Sequence, residues 1–195
     1  ALTAVKQKAV LLILSDRNVS SKTLPVPAAM AVGAVQHMLV KNSLRCDANI
    51  IVETAAARDP HHFAVLFGVG ATAVFPYLAY ETLASLAKDN YLEVSYGQAV
   101  LKYRKGIDNG LLKILSKMGI STIASYRCAQ LFETVGLSDE ITGLCFNGIA
   151  NRIQGAGFDD FQNDQQKLSD SAWHQPHRPL TRGGLFKYVH GHEYH

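Results

Sequence analysis

Ala9-Val10-Leu11-Leu12-Ile13-Leu14-Ser15-Asp16-Arg17 decides the fold: six apolar residues in a row, then a polar stop. A continuous run of this kind, without alternation and with Val and Ile in it, suits a strand buried on both faces of a parallel sheet. The first strand is expected over residues 9–14, closed by the loop Ser15-Asp16-Arg17-Asn18. Pro25 and Pro27 then lead into an apolar stretch, and because Pro is tolerated in a first helical turn, a helix is expected over 28–42. A second strand over 48–53 ends at Thr54. Asp59-Pro60 has the form of an N-cap followed by Pro at the first helical position, so a helix follows over 60–67, stopped by Gly68 and Gly70.

The pattern continues with a strand over 73–77, its end disturbed by Pro76, and a helix over 80–87. Residues 96–118 form a long amphipathic stretch in which Gly106 and Gly110 are candidate breaks, and Gly119 ends it. A fourth strand is expected over 121–126, a short helix over 128–135 stopped by Gly136, and a fifth strand over 141–146. Gly143 in that last strand suggests a bulge or a close backbone approach. A further helix is expected over 158–172. Beyond Trp173 the chain turns polar, with Pro176, Pro179, Gly183 and Gly184, and reads as a linker or docked extension.

Strand, loop and helix in repeated alternation argue for parallel βα units with right-handed crossovers. A closed barrel of eight units takes roughly 250 residues, so about five strands are too few to close one. Two architectures remain: an open doubly wound sheet, or the latter part of a barrel whose first strands lie upstream. The abrupt start at Ala1, with no basic-then-apolar leader, favours the second and reads as the edge of a larger protein. The expected fold class is therefore α/β, a partial TIM-barrel-like fragment with an irregular C-terminal tail. Such a cut barrel would leave open sheet edges and exposed apolar surface, and would be marginally soluble alone.

Composition narrows the function classes. With 48% apolar and 18% charged residues the chain can bury a core, which disfavours disorder. Net charge is +3 with mixed signs and no block of like charges, which gives nucleic-acid binding little support. The densest basic cluster, Lys102, Arg104 and Lys105, reads as a solvated helix face. Cys46, Cys128 and Cys145 form no CxxC pair, and an odd count without a leader fits a reducing cytoplasm. No apolar run reaches the ~20 residues that span a bilayer.

Ligands in parallel α/β folds sit beyond the C-terminal ends of the strands. That rule selects Asp16 and Arg17, Glu53, Tyr77, Tyr126 and Arg127, and Asn147 with Arg152. Together they could bind an anion or polarise a carbonyl; equally, they could be ion pairs that hold loops together. His61 and His62 point about 100° apart on a helix, so a shared metal ion is disfavoured. His190-x-His192 in the tail has the spacing of a strand-borne metal pair, with Glu193 the one acidic neighbour, but a loose His-containing terminus is the plainer reading. Gly68-Val69-Gly70-Ala71 closes a helix where a dinucleotide loop would open one. Asp159 and Asp160, after Gly155-Ala156-Gly157, favour the start of a helix and would repel a phosphate there.

Several segments together carry a family resemblance. They are Leu14-Ser15-Asp16-Arg17, Pro25-Val26-Pro27-Ala28, Ile51-Val52-Glu53-Thr54, Ala57-Arg58-Asp59, and His61-His62-Phe63-Ala64-Val65-Leu66. Pro76-Tyr77-Leu78-Ala79-Tyr80-Glu81-Thr82, the run from Lys113 to Thr122, Ser125-Tyr126-Arg127 and Gln130-Leu131-Phe132-Glu133 follow in the same order. The chain closely resembles the central domain of the glutamate synthase large subunit. Gly110, Gln154 and His192 depart from the family pattern and put local loop geometry in question. Glu193-Tyr194-His195 looks like the point where that family passes into its flavin domain, so residues 1–173 would be a central-domain segment and 174–195 a linker or tail.

The resemblance implies a parent enzyme that makes glutamate from glutamine-derived ammonia and 2-oxoglutarate with NADPH-derived electrons. An amidotransferase domain would release the ammonia, and an FMN-bearing barrel with a [3Fe-4S] cluster would consume it. A small subunit would carry FAD and oxidise NADPH. The implied role of this segment is structural, joining the two centres. It would hold no catalytic, cofactor or metal residue of its own, and its flanking domains and the small subunit would be its partners. The alternative from the residues alone is a free-standing α/β enzyme or binding module for a small anion, using Asp16, Arg17, Glu53, Tyr126, Arg127 or Arg152.

Overall fold

The computed structural model describes residues 1–174. After a short helix α1 (Leu2–Lys6), three βα units follow: β1 (Leu11–Ser15), α2 (Ala28–Lys41), β2 (Asn49–Glu53), α3 (Pro60–Gly68) and β3 (Ala73–Phe75) with α4 (Tyr77–Lys88). The strands pair in parallel in their order along the chain, β1-β2-β3, without a slip in register. Leu12, Ile50 and Val52 point to one side of this sheet and are buried with Val32 and Leu39 of α2 and with Phe63 and Leu66 of α3. Each such side chain withdrawn from water is worth about 1.5–3 kcal/mol. Pro27 stands at the N-cap of α2, and Asp59 caps α3 by accepting hydrogen bonds from the His61 and His62 N–H groups.

The opposite face of the sheet carries Leu11, Ile13 and Phe75, which are 56%, 63% and 43% exposed. The expectation that the first strand is buried on both faces therefore fails among the described residues: α2 and α3 lie on one side only.

Helix α5 (Tyr96–Met118) opens with a capping box between Ser95 and Gln98 and runs unbroken through Gly106 and Gly110 to a left-handed Gly119. The bare Cα of Gly110 faces Pro60, and an added Cβ would run into that ring. The glycine lets α5 press on the first turn of α3.

The last third departs from the sequence expectation. Residues 121–126 form no strand: Thr122 caps a single turn, α6 (Ile123–Tyr126), whose Tyr126 joins an apolar cluster with Ala64 and Leu115. Residues 128–135 are not a helix, because Cys128 and Gln130 both adopt left-handed φ values. The chain turns there and enters β4 (Glu133–Leu137). The expected fifth strand is instead α7 (Asp139–Cys145), begun by the Ser138 cap with Asp139 and Glu140 in its first turn. The true fifth strand is β5 (Ala150–Ala156), parallel to β4 and interrupted by register shifts around Val135. Helix α8 (Phe158–His174) completes the described chain.

The fold is thus α/β, built of parallel βα units in two small open sheets, in keeping with a fragment of a barrel. The second sheet is tied to the first through helices. Met30 and Ala34 of α2 pack on Ile141 and Cys145 of α7, with Phe158 and Phe161 of α8 alongside. Residue 33 must be glycine here, since a Cβ on it would meet the Cys145 carbonyl oxygen.

Candidate functional site at the strand ends of the first sheet

Strands β1 and β2 end side by side, so the residues following them share one rim. Asp16 N–H donates to the Glu53 carbonyl as a last rung of the ladder, 3.1 Å long. The Asp16 carboxylate then accepts from Thr54 Oγ1 at 2.5 Å and from the Ala55 N–H at 3.1 Å. Thr54 is only 1% exposed, so this pairing satisfies a buried hydroxyl. Ser15 Oγ donates to Glu53 Oε2 at 2.6 Å. Arg17 bridges outward: its Nε lies 3.3 Å from Glu53 Oε1 and its Nη2 3.0 Å from Glu81 Oε1. The same guanidinium stacks on the Tyr77 ring, 4.7 Å from the centroid. Burial, with the neighbouring Asp16 carboxylate, pushes the Tyr77 hydroxyl up to about 12.

Two carboxylates, Glu53 and Glu81, thus share one guanidinium, and a third, Asp16, stands beside them on Thr54 and Ala55. The rim is acidic, and an incoming anion would meet net repulsion. Each of the four charged groups already has a protein partner. The adjoining cavity, about 420 Å³, is lined by Ile13, Asp16, Pro25, Val26, Glu53 and Thr54 among others. Its arrangement orders loops better than it offers a free acid, base or nucleophile.

The other expected site residues lie elsewhere. Arg127 follows α6 and donates to Thr72 Oγ1 at 3.2 Å, at the start of β3, the opposite end of the first sheet. Tyr126 is buried, its hydroxyl lacking a hydrogen-bond partner among the described residues. Arg152 sits on β5, its side chain 77% exposed, 3.4 Å from Glu133. Asn147 lines a separate cleft between α2 and the end of α7, with His37, Cys128 and Cys145. Only Asp16, Arg17, Glu53 and Tyr77 are brought together. Sequence reasoning missed Ser15, Thr54 and Glu81. In-register pairing of β1 with β2 could have found Ser15, the cross-strand partner of Glu53.

His61 and His62 share Asp59 through their backbone N–H groups, and the His62 ring accepts from Arg58 N–H. Among the described residues no group of three or more His, Cys, Asp or Glu side chains is disposed to hold a metal ion. His177, His190, His192 and His195 lie outside the described residues.

A family model described as the glutamate synthase central domain matches residues 1–138. The glutamate synthase [NADPH] large chain of Bacillus subtilis is 40% identical over 98% of this chain, which covers 13% of that protein. The glutamate synthase [NADH] of Schizosaccharomyces pombe is 40% identical over 88% of the chain and 8% of its own length. The ferredoxin-dependent glutamate synthase of Pyropia yezoensis is 38% identical over 95% of the chain and 13% of its own. The chain therefore spans about an eighth or less of these relatives, which are much longer proteins.

Proposed function

The chain belongs to the glutamate synthase central-domain family, and from that premise we propose that it is a structural coupling segment of a glutamate synthase large chain. The parent enzyme would make glutamate from 2-oxoglutarate and ammonia released from glutamine, in the cytoplasm. The segment would stand between an amidotransferase domain and an FMN domain, with residues 174–195 leading toward the latter. The carrying observation is the rim of the first sheet, where Asp16, Glu53, Glu81 and Arg17 are spent on one another and on backbone N–H groups. Such a rim stiffens a wall. Free ammonia in water is protonated and lost, so a path between two centres needs dry, rigid sides.

Relatives named for NADPH, NADH and ferredoxin share this segment at similar identity. That supports a role common to all three, upstream of any choice of electron donor. FMN and a [3Fe-4S] cluster, and FAD with NADPH on a small subunit, are assigned to other parts of the assembly. The donors present here do not suit a cluster: Cys46 and Cys128 are exposed and Cys145 is buried in α7. No helix among the described residues is long and apolar enough to cross a membrane.

The test uses the full-length enzyme carrying Arg17→Ala. A coupling role predicts that glutamine-dependent synthesis falls while synthesis from added ammonium salt stays near wild type. Loss of both by about 100-fold or more would instead make Arg17 part of the chemistry.

A further inference from the structure

Two turns carry basic side chains to the end of the first sheet that lies away from the acidic rim. Ser43 and Cys128 both adopt left-handed φ values. Ser43 leads into the 3-10 turn Arg45–Asp47, and Arg127 precedes Cys128 at the end of α6. Both guanidiniums reach for the turn between α3 and β3. Arg45 Nη2 donates to the Gly70 carbonyl at 3.1 Å, and Arg127 Nη1 donates to Thr72 Oγ1 at 3.2 Å. The Cys128 N–H holds the same turn, donating to the Gly68 carbonyl at 3.1 Å.

Neither positive charge is answered by a negative one. Arg45 has two further acceptors, the Gln36 side-chain carbonyl and the Ala48 carbonyl, and all three are neutral. Arg127 has only Thr72, also neutral, which leaves its Nε and Nη2 without an acceptor among the described residues. None of the ion pairs among the described residues includes either arginine. Both are half-buried, where like charges repel more strongly than in water. Burial, and then the neighbouring Arg127 charge, lower the Arg45 guanidinium below its ordinary value. The acidic rim is the opposite case, with one guanidinium already serving two carboxylates.

A cleft of about 230 Å³ opens beside the pair, lined by Gln36, His37, Cys128, Gln130 and Asn147 among others. Its lining contains no Asp or Glu among the described residues. Guanidinium forks, amide N–H groups and no acid make a donor set suited to an oxyanion.

We propose that Arg45 and Arg127 form a binding site for a small oxyanion, a carboxylate or phosphate group held between the two guanidiniums where β2 and β3 begin. The bound anion would tie the Arg45–Asp47 turn, the α3–β3 turn and the end of α6 together. The proposal rests on these residues and not on the coupling role.

The experiment uses the full-length large chain and phenylglyoxal, which modifies accessible arginines, with peptide mass spectrometry reading Arg45 and Arg127. Malonate and inorganic phosphate are compared with sodium chloride at equal ionic strength. At a probe concentration about ten times Kd, modification of both arginines should slow by roughly 10-fold. Slowing by malonate alone identifies a carboxylate site, and slowing by phosphate alone a phosphate site. Unchanged rates with both probes overturn the proposal. So does a pair that is unreactive in chloride and released only by denaturant, since a carboxylate from elsewhere in the protein would then already occupy it. In Arg127→Gln the protection of Arg45 should be lost; protection as strong as in the wild type overturns the paired site. Hydrogen exchange on the wild-type protein keeps the test open if the variant misfolds. Amides of residues 68–72 should exchange more slowly in malonate or phosphate than in chloride, and equal exchange refutes the site.

Discussion

The two sheets of this chain are built on different principles. In β1-β2-β3 the strands are short and apolar, the register has no slip, and one face is pinned by Leu12, Ile50 and Val52. A one-residue shift would throw all three into water, so the side chains fix the pairing. In β4-β5 the strands carry Glu133, Arg152 and Gln154, and the register shifts twice around Val135. There backbone shape does the fixing: Gly136 has a φ of +75°, and a Cβ on Gly155 would lie 2.6 Å from the Gly136 carbonyl oxygen. Sheets of the first kind tolerate local damage at their rims. Sheets of the second kind depend on what they lean against, which here is α7 and, through it, α2.

The sharpest way to break this contrast is at the joint between the sheets. Gly33→Ala puts a methyl group into the Cys145 carbonyl. The steric cost of about 1–3 kcal/mol exceeds the gain in helix propensity of roughly 1 kcal/mol. Hydrogen exchange should quicken in β4, α7 and β5 while β1 and β2 hold; uniform quickening would mean that the sheets are one cooperative body.

Next in size is Asp16→Ala, which leaves the buried Thr54 O–H and the Ala55 N–H without their acceptor, although Thr54 Oγ1 still accepts from the Ala56 N–H. A loss of about 1–3 kcal/mol is expected in urea unfolding. The same rim predicts a pH effect. Tyr77 is held near 12 against about 10 in an unfolded chain, so its neutral form contributes stability that is complete below pH 10. That contribution fades as pH rises toward 12, and Tyr77→Phe should remove this part of the alkaline decline.

Asp59→Ala comes third. It deletes the α3 cap and should cost about 1 kcal/mol. Partial burial raises the Asp59 carboxyl, but the hydrogen bonds from His62 and His61 outweigh it and hold it below the usual value. Its contribution is therefore present above the ordinary carboxylate range and is lost as pH falls through the lowered value. In an acid titration the wild type should lose more stability than the variant. The smallest effect is expected for Arg152→Ala, whose partner Glu133 is also exposed: within about 0.5 kcal/mol in the same urea titration. A larger loss would mean that β5 is pinned by charge and not by backbone shape.

Legibility follows the same division. The helices α2, α3 and α5 and the first two strands are readable because apolar runs and caps mark them, and α8 because Asp159 and Asp160 stand in its first turn. β4 and β5 are not, since Glu133 to Leu137 and Ala150 to Ala156 have neither an apolar run nor clean alternation. Ile141 to Cys145 reads as a strand from its apolar residues, although Ser138-Asp139-Glu140 before it is a helix-start signal. At the rim, Asp16, Arg17, Glu53 and Tyr77 follow from the strand-end rule, which works wherever the strands are placed correctly. Tyr126 and Arg127 enter the candidate set only through the strand expected over residues 121–126, which does not form. Arg152 sits inside β5 and not after any strand end.

The Gly33–Cys145 contact also bears on how the chain is made. Its two residues are more than a hundred positions apart, whereas β2 and β3 are about twenty apart and β4 and β5 fewer still. Distant contacts close late because the intervening loop must be gathered first. On a ribosome the first sheet is available before α7 has left the exit tunnel, so the smooth patch around residue 33 is exposed until its counterpart arrives. That interval is when a nascent chain of this kind has most need of a chaperone.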